Sequence, residues 1–378
     1  MSTLEQVRTV ADARAVDTER LGHLHPDVVA ALIDSGGFRH WIAATHGGTQ
    51  STLVEGLRVI EAISESDGSA GWCTMIANCT ALTSFRLPAD WAEKIFADPG
   101  ACTGGFGMPA GLARVVDGGL EVTGEWAWGS GTDHCTWIGG GVRVVDADGE
   151  PAAAPDGART PFVFFDLDDV ELLDTWHVAG LQGTGSTDYR VERAFVPDGR
   201  WVQLVGTEPR IDTPLGHFPF FGALAAGVAA VTIGLAERAV SELVAIGGKR
   251  SAGSSKSLAE RAPVQADLAM AKAGIGQARD HLHATAERLW DLVAATGEVD
   301  DEARVELRMA ATAAARRCVE AVDRCFHASG GTGVYETSPL QRVFRDVHVA
   351  ASHGMIAPRT MEPLGRWSFG LPTSTTQF

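Results

Sequence analysis

Two stretches of this chain carry residue types that can move a proton or hold a ligand closely. Val343-Phe-Arg-Asp-Val-His-Val-Ala-Ala-Ser-His353 delivers His353 eight residues after Arg345, at the end of a helical pattern running from Leu340. An imidazole titrates near neutrality, so His353 can act as an acid or base at physiological pH. The competing reading is a packing histidine whose ring is satisfied by a backbone carbonyl. The second stretch is Gly129-Ser130-Gly131. The Ser130 hydroxyl can donate and accept, and its flanking glycines let a ligand come close to the backbone. The alternative is a serine that satisfies its own turn. Trp126 and Trp128 precede it at strand spacing, so one aromatic face could stack on a planar ligand or fill a core. Thr184-Gly185-Ser186-Thr187 forms a similar cluster of hydroxyls and backbone N–H groups.

Other patterns lack the required context. Gly105 to Gly111 is not a dinucleotide fingerprint, because Pro109 interrupts it and no βαβ unit surrounds it. His281 and His283 lie two apart on a helix and diverge, so they cannot share a metal. The six cysteines show no Cys-x-x-Cys spacing and read as buried thiols in a reducing, cytoplasmic compartment. No metal site is expected. A net charge of −17 argues against nucleic acid and anionic membranes, both of which need a basic face.

The elements that must position these residues fall into three regions. Residues 1–95 read as a helical domain, with Pro26 opening a helix, Gly36-Gly37 closing it, and Gly68 stopping the helix that starts at Leu53. A buried helix is expected over Gly71 to Phe85. Residues 96–210 carry glycine clusters between β-rich runs such as Phe162-Val-Phe-Phe165, which indicates a small antiparallel barrel or sandwich. Residues 211–378 read as a four-helix bundle over Ala223–Ile246, Leu258–Ala295, Asp301–Ser329 and Leu340–His353, with Ser251 to Ser257 as a polar connection. Phe218 to Ala236 is uncharged for 19 residues, long enough for a membrane span. It runs directly into a charged amphipathic segment and is read instead as a helix surrounded by protein, with no membrane partner.

That order of domains resembles the acyl-CoA dehydrogenase fold over essentially the whole chain. Four segments carry the likeness: Gly68-Ser-Ala-Gly-Trp72, Thr123 to Trp137, Gly180-Leu-Gln-Gly-Thr-Gly-Ser-Thr-Asp188, and His327 to Tyr335 followed by Pro339-Leu-Gln-Arg342. They are most similar to two-component, reduced-flavin-dependent monooxygenases. The resemblance implies reduced FMN or FAD supplied by a separate NAD(P)H:flavin reductase, and O2 activated as a C4a-hydroperoxyflavin. The implied reaction is hydroxylation of a small aromatic or amine substrate.

It implies flavin contacts from Trp128, Ser130, Gly131, Thr132, Thr184, Gly185 and Ser186. Arg250 would meet a phosphate, and Gly330 and Gly331 would reach a neighbouring subunit's flavin in a homotetramer. His353 and Ser130 would serve the chemistry. Where relatives often have a second histidine, eight residues after Trp72, this chain has Thr80, which makes Asn78 the candidate to hydrogen-bond the substrate. Dehydrogenases of this fold commonly place a glutamate near Gly354, yet no carboxylate lies between Asp346 and Glu362. Oxygen chemistry is therefore favoured over an acyl-CoA dehydrogenase or a non-catalytic flavin-binding relative.

Overall fold

The computed structural model describes residues 3–250 and 255–378. The helices α1 (Leu4–Leu21), α2 (Pro26–Ser35), α3 (Leu53–Ser66), α4 (Gly68–Ala81) and α5 (Ala89–Phe96) come first. Pro26 opens α2, and Gly36 closes it at a φ of 75°. Gly68 does not act as a stop. Asp67 ends α3 and caps α4, its side chain accepting from the Ala70 N–H at 2.8 Å, so α4 starts one residue later and brings Trp72 into its second turn.

The middle region contains β1 (Thr103–Val116), β2 (Gly119–Gly129), β3 (Trp137–Val145), β4 (Phe162–Phe165), β5 (Val170–Leu172), β6 (Thr187–Pro197) and β7 (Trp201–Val202). They form one seven-stranded sheet in the order β5-β6-β2-β1-β3-β4-β7. The expected all-antiparallel arrangement is corrected at one pair: β1 and β3 run parallel. The cause is the connection at residues 130–136, which crosses the end of β1 and lays β3 on its far side. Thr136 N–H donates to the Cys102 carbonyl at 2.7 Å in that crossing. Ser130 opens this crossover, so the sheet's topology places it.

The C-terminal region holds α6 (Pro214–His217), α7 (Phe220–Ala245), α8 (Ala262–Thr296), α9 (Asp301–Ala328), α10 (Pro339–Ala350) and α11 (Met361–Ser368). Two expectations change here. The second bundle segment starts at Ala262, after a 3-10 turn at Leu258–Glu260, and α10 ends at Ala350, short of His353. Residues 251–254 of the expected polar connection lie outside the described residues. α7 is long and apolar enough to cross a membrane, but 78% of its most apolar window is buried by the surrounding helices. It is the central element of the main core, with Val228, Val231, Ile233 and Leu235 at most 1% exposed.

α7 meets α3 without side-chain clearance at Gly234. A Cβ there would stand 2.3 Å from the Glu61 carbonyl oxygen and 2.6 Å from Ser64 Cβ. Gly234→Ala is expected to destabilise the protein by about 1–3 kcal/mol, because neither backbone can yield. The check is a lowered thermal midpoint; an unchanged midpoint would mean the two helices separate freely.

Candidate active site

The site is assembled where α4, the crossover turn and the loop before β6 meet. Trp72 Nε1–H donates to Ser130 Oγ at 2.9 Å. Ser130 Oγ lies 2.6 Å from Ser186 Oγ, which lies 2.7 Å from Thr184 Oγ1. Thr184 Oγ1 in turn donates to the Leu181 carbonyl at 2.8 Å. All three hydroxyl residues are at most 5% exposed. The direction of these bonds is fixed by their ends, since an indole N–H can only donate and a carbonyl can only accept. Hence Thr184 gives its proton to Leu181, Ser186 gives to Thr184, and Ser130 gives to Ser186. Ser130 keeps one free lone pair, so it can meet a further group only as an acceptor.

Backbone conformation makes this meeting possible. Leu181 and Gly185 adopt φ values of 52° and 54°, which wraps the loop into a tight turn. Gly131 has a φ of 74°, and its N–H donates to the Thr184 carbonyl at 2.9 Å, which ties the two hydroxyl-bearing segments together. The loop is held from the bundle by Asp346 on α10, whose Oδ1 accepts from the Leu181 N–H at 2.6 Å. Asp346 is 4% exposed, and burial raises its pKa from the usual carboxylate range to about 7. The hydrogen bond to Leu181 acts against that rise, while the Asp67 carboxylate adds to it. Asp67 is itself raised by burial, with Arg342 acting in the opposite sense.

His353 is not on a helix. It lies in the turn after α10, its N–H bonded to the Ala350 carbonyl at 3.1 Å. The ring stands edge-on to Trp72, centroids 5.5 Å apart, which connects it to Ser130 through the same indole. The residue is half-buried, and its imidazole is shielded enough that desolvation, aided by the Arg308 charge, lowers its pKa to about 4. The expectation of titration near neutrality is thereby corrected: His353 is neutral at pH 7. Its Nδ1 accepts from the Met355 N–H at 3.3 Å, so the ring proton sits on Nε2.

The remaining candidates divide. Trp126 is fully buried, stacked on Tyr189 and packed against Phe165 with centroids 5.3 Å apart in both cases, so it is a core residue and cannot face a ligand. A register shift between Trp126 and Gly129 and a φ of 62° at Trp128 break the strand alternation. Trp128 is therefore turned out, 61% exposed, with Phe106 against its edge. Asn78 is corrected from substrate contact to structural tie. Its amide nitrogen donates to the Gly37 and Thr74 carbonyls at 2.8 Å each, and its oxygen accepts from the Trp41 N–H. Thr80 returns its hydroxyl to the Ile76 carbonyl at 2.9 Å. Thr132 bonds the Gly129 carbonyl within its own turn. Arg250 lies exposed past the end of α7, bridged to Ser257, and Gly330 and Gly331 lie exposed past α9. Among the described residues, none of these three hydrogen-bonds to Ser130, Ser186 or His353. Sequence reasoning missed Arg308 on α9, although a charge at the i+3 position from buried Val305 and the i−4 position from buried Thr312 marks it.

A polar cleft of about 610 Å³ opens behind the loop, lined by Glu19, His23, Asp133, Trp176 and Gln182 among others. It includes none of Trp72, Ser130 or His353. The hydroxyl cluster suits an isoalloxazine. Trp128 offers exposed aromatic surface with half-buried Phe106 at its edge, Ser130 offers an acceptor for a ring N–H, and the Thr103 hydroxyl, 2% exposed, has no partner among the described residues. Thr103 sits next to Gly104, whose Cβ position is 3.0 Å from the Ser130 carbonyl.

A helical domain, a β sheet and a helix bundle around such a cluster define a flavin enzyme of acyl-CoA dehydrogenase architecture. Residues 226–358 match the family model described as acyl-CoA dehydrogenase, C-terminal domain. The chain is 31% identical to a pigment production hydroxylase of Rhodococcus erythropolis, covering 95% of this chain and 93% of that protein. It is 30% identical to the flavin-dependent monooxygenase oxygenase subunit HsaA of Rhodococcus jostii, with both chains covered completely. The solved structure of XiaF from Streptomyces sp. in complex with FADH2 and glycerol superposes with a TM-score of 0.89 at 26% identity, over 98% of this chain and 94% of that one. The protein belongs to the flavin-dependent monooxygenases of the acyl-CoA dehydrogenase fold.

Asp346 gives the fold a pH dependence of defined sign. Its folded pKa lies above the unfolded value, so its contribution to stability is complete below about pH 4 and is lost as pH rises through about 7. Asp346→Asn keeps an acceptor for the Leu181 N–H and removes that slope. The variant's thermal midpoint is expected to gain on the wild type between pH 5 and pH 8, by on the order of 1 kcal/mol per pH unit at most. A constant gap across that range would contradict the assignment.

Proposed function

We propose that the protein is the oxygenase component of a two-component system that hydroxylates a small aromatic substrate, using O2 and FMNH2 or FADH2 delivered by a separate reductase. The observation that carries the site assignment is the Trp72 indole, which gives its N–H to Ser130 and its ring edge to His353. One rigid side chain thus sets a ring-binding hydroxyl and a proton-bearing imidazole on the same side of α4.

Bound reduced flavin supplies the electrons that activate O2. The chain's own residues supply the rest. Ser130 would hold the cofactor ring as a hydrogen-bond acceptor, its own proton being committed to Ser186. Trp128 and Phe106 would shield the ring from water. His353, neutral and protonated at Nε2, would donate to a substrate oxygen and withdraw a proton only by changing tautomer. An amine substrate fits this donor less well than a phenol, whose oxygen accepts from Nε2–H. Thr80 adds no second proton-transfer group, because its hydroxyl returns to the helix.

Thioester dehydrogenation is disfavoured by the same geometry. The carboxylate nearest His353 in sequence, Asp346, is buried and holds Leu181 rather than facing the indole. Exposed Val334 and Tyr335, at 63% and 67%, lie beside Gly330 and Gly331 and support a subunit contact there, as in a homotetramer. Six buried free thiols support a cytoplasmic setting.

Mixing the protein anaerobically with reduced flavin, then with O2 and a phenolic substrate, tests this reading. Hydroxylated product, with flavin reoxidising more slowly than in free solution, is the expected result; reoxidation at the free rate without product would sink it. His353→Asn is expected to lower product formation by about 100-fold or more while flavin binding, followed by Trp fluorescence quenching, stays intact. Wild-type turnover in that variant would remove His353 from the reaction.

A further inference from the structure

Arg308 lies in the middle of α9 and is 2% exposed. Among the described residues it has no carboxylate partner, and its Nε lacks any hydrogen bond. Burying a cation without a carboxylate partner is costly, and its surroundings show what holds it there. Its Nη1 donates to the Met355 carbonyl at 3.0 Å, its Nη2 donates to the Gln377 carbonyl, and the Phe378 ring lies 5.8 Å from the guanidinium carbon. Met355 is the residue whose N–H holds His353 Nδ1. One guanidinium therefore grips one end of the residue that fixes the imidazole from the other end.

We propose that Arg308 is the positioning residue of His353: through the Met355 carbonyl it fixes the ring's orientation and its tautomer, with the proton on Nε2. Its charge adds to burial of the ring in disfavouring imidazolium. This rests on the reading of His353 as the proton-bearing group of the site. The charged groups around the turn are few. Arg308 faces the ring from α9, and Arg359, from the 3-10 turn at Pro358–Thr360, comes within 3.6 Å of the Cβ position of Gly354. From α4 the ring meets the uncharged Trp72, and α10 turns its Asp346 to Leu181. Both charged neighbours are cations, and of the two it is Arg308 that acts on the ring. A carboxylate in the place of Arg308 would do the reverse, raising the ring's proton affinity and favouring a charged acid.

The consequence is chemical. With Nδ1 occupied as an acceptor, His353 presents a fixed N–H to the site across the whole neutral pH range. A substrate oxygen meets a donor whose state does not vary with the medium.

The test measures the His353 titration directly in the full-length, flavin-free protein, by deuterium exchange at the imidazole C2 position read residue by residue in mass spectrometry. Three variants separate the charge from the grip. Arg308→Lys retains the charge, Arg308→Gln retains a donor for Met355 without charge, and Arg308→Met removes both. The midpoint is expected to rise by about one pH unit or more in the Gln and Met variants and to stay near wild type in the Lys variant. Midpoints that match wild type in folded Gln and Met variants would overturn the proposal; if the Met variant does not fold, the Gln variant decides. Product formation assayed on the same proteins separates the two readings. A raised midpoint with unchanged turnover keeps Arg308 as the positioning residue and removes His353 from the reaction.

Discussion

The hydrogen bond from Leu181 N–H to the buried Asp346 carboxylate is the contact on which the site depends. It joins a helix of the C-terminal bundle to the loop that carries Thr184 and Ser186, across two regions far apart in sequence. The loop has unusual backbone angles at both ends, and left alone it would sample others. A carboxylate in a dry environment, accepting one short bond, holds it in the conformation that brings Ser186 to Ser130. Asp67, beside it, starts α4 and so places Trp72. Two neighbouring acidic side chains thus set both partners of Ser130, at the cost of having their charges crowded together in the interior.

The large elements were readable because they are governed by local rules. Pro26 and Gly36 bound α2 as their backbone preferences require, and the uncharged stretch that becomes α7 is buried on all sides as its composition implied. Glycine clusters between β-rich runs located the sheet. Some of what escaped is local: Gly68 reads as a stop in isolation, yet Asp67 caps across it. The rest was set by contacts at long range. The parallel pairing of β1 and β3 depends on a crossover that no periodicity encodes.

The same division holds at the site. Ser130, Thr184 and Ser186 could be picked out by type and by their glycine neighbours, and they do meet. Trp126 and Trp128 appeared equivalent at two-residue spacing, and a single bulge sends one into the core and the other into solvent. Asn78 had the right chemistry for a substrate contact, but the backbone of Gly37, Trp41 and Thr74 consumes every useful bond it can make. His353 changed its character. Its lowered proton affinity follows first from burial of the ring and then from a cation on α9 that the sequence places 45 residues away.

The one-way order of the hydroxyls between Trp72 and Leu181 has a further consequence. A proton wire must be able to take up a proton at one end, release one at the other and then turn over to reset. Here the indole holds its proton permanently and the peptide carbonyl has none to pass on, so the row of hydroxyls is closed at both termini. It conducts nothing. Any proton used beside Ser130 has to come from elsewhere, and the row serves instead as a fixed dipole whose accepting end is the Ser130 oxygen.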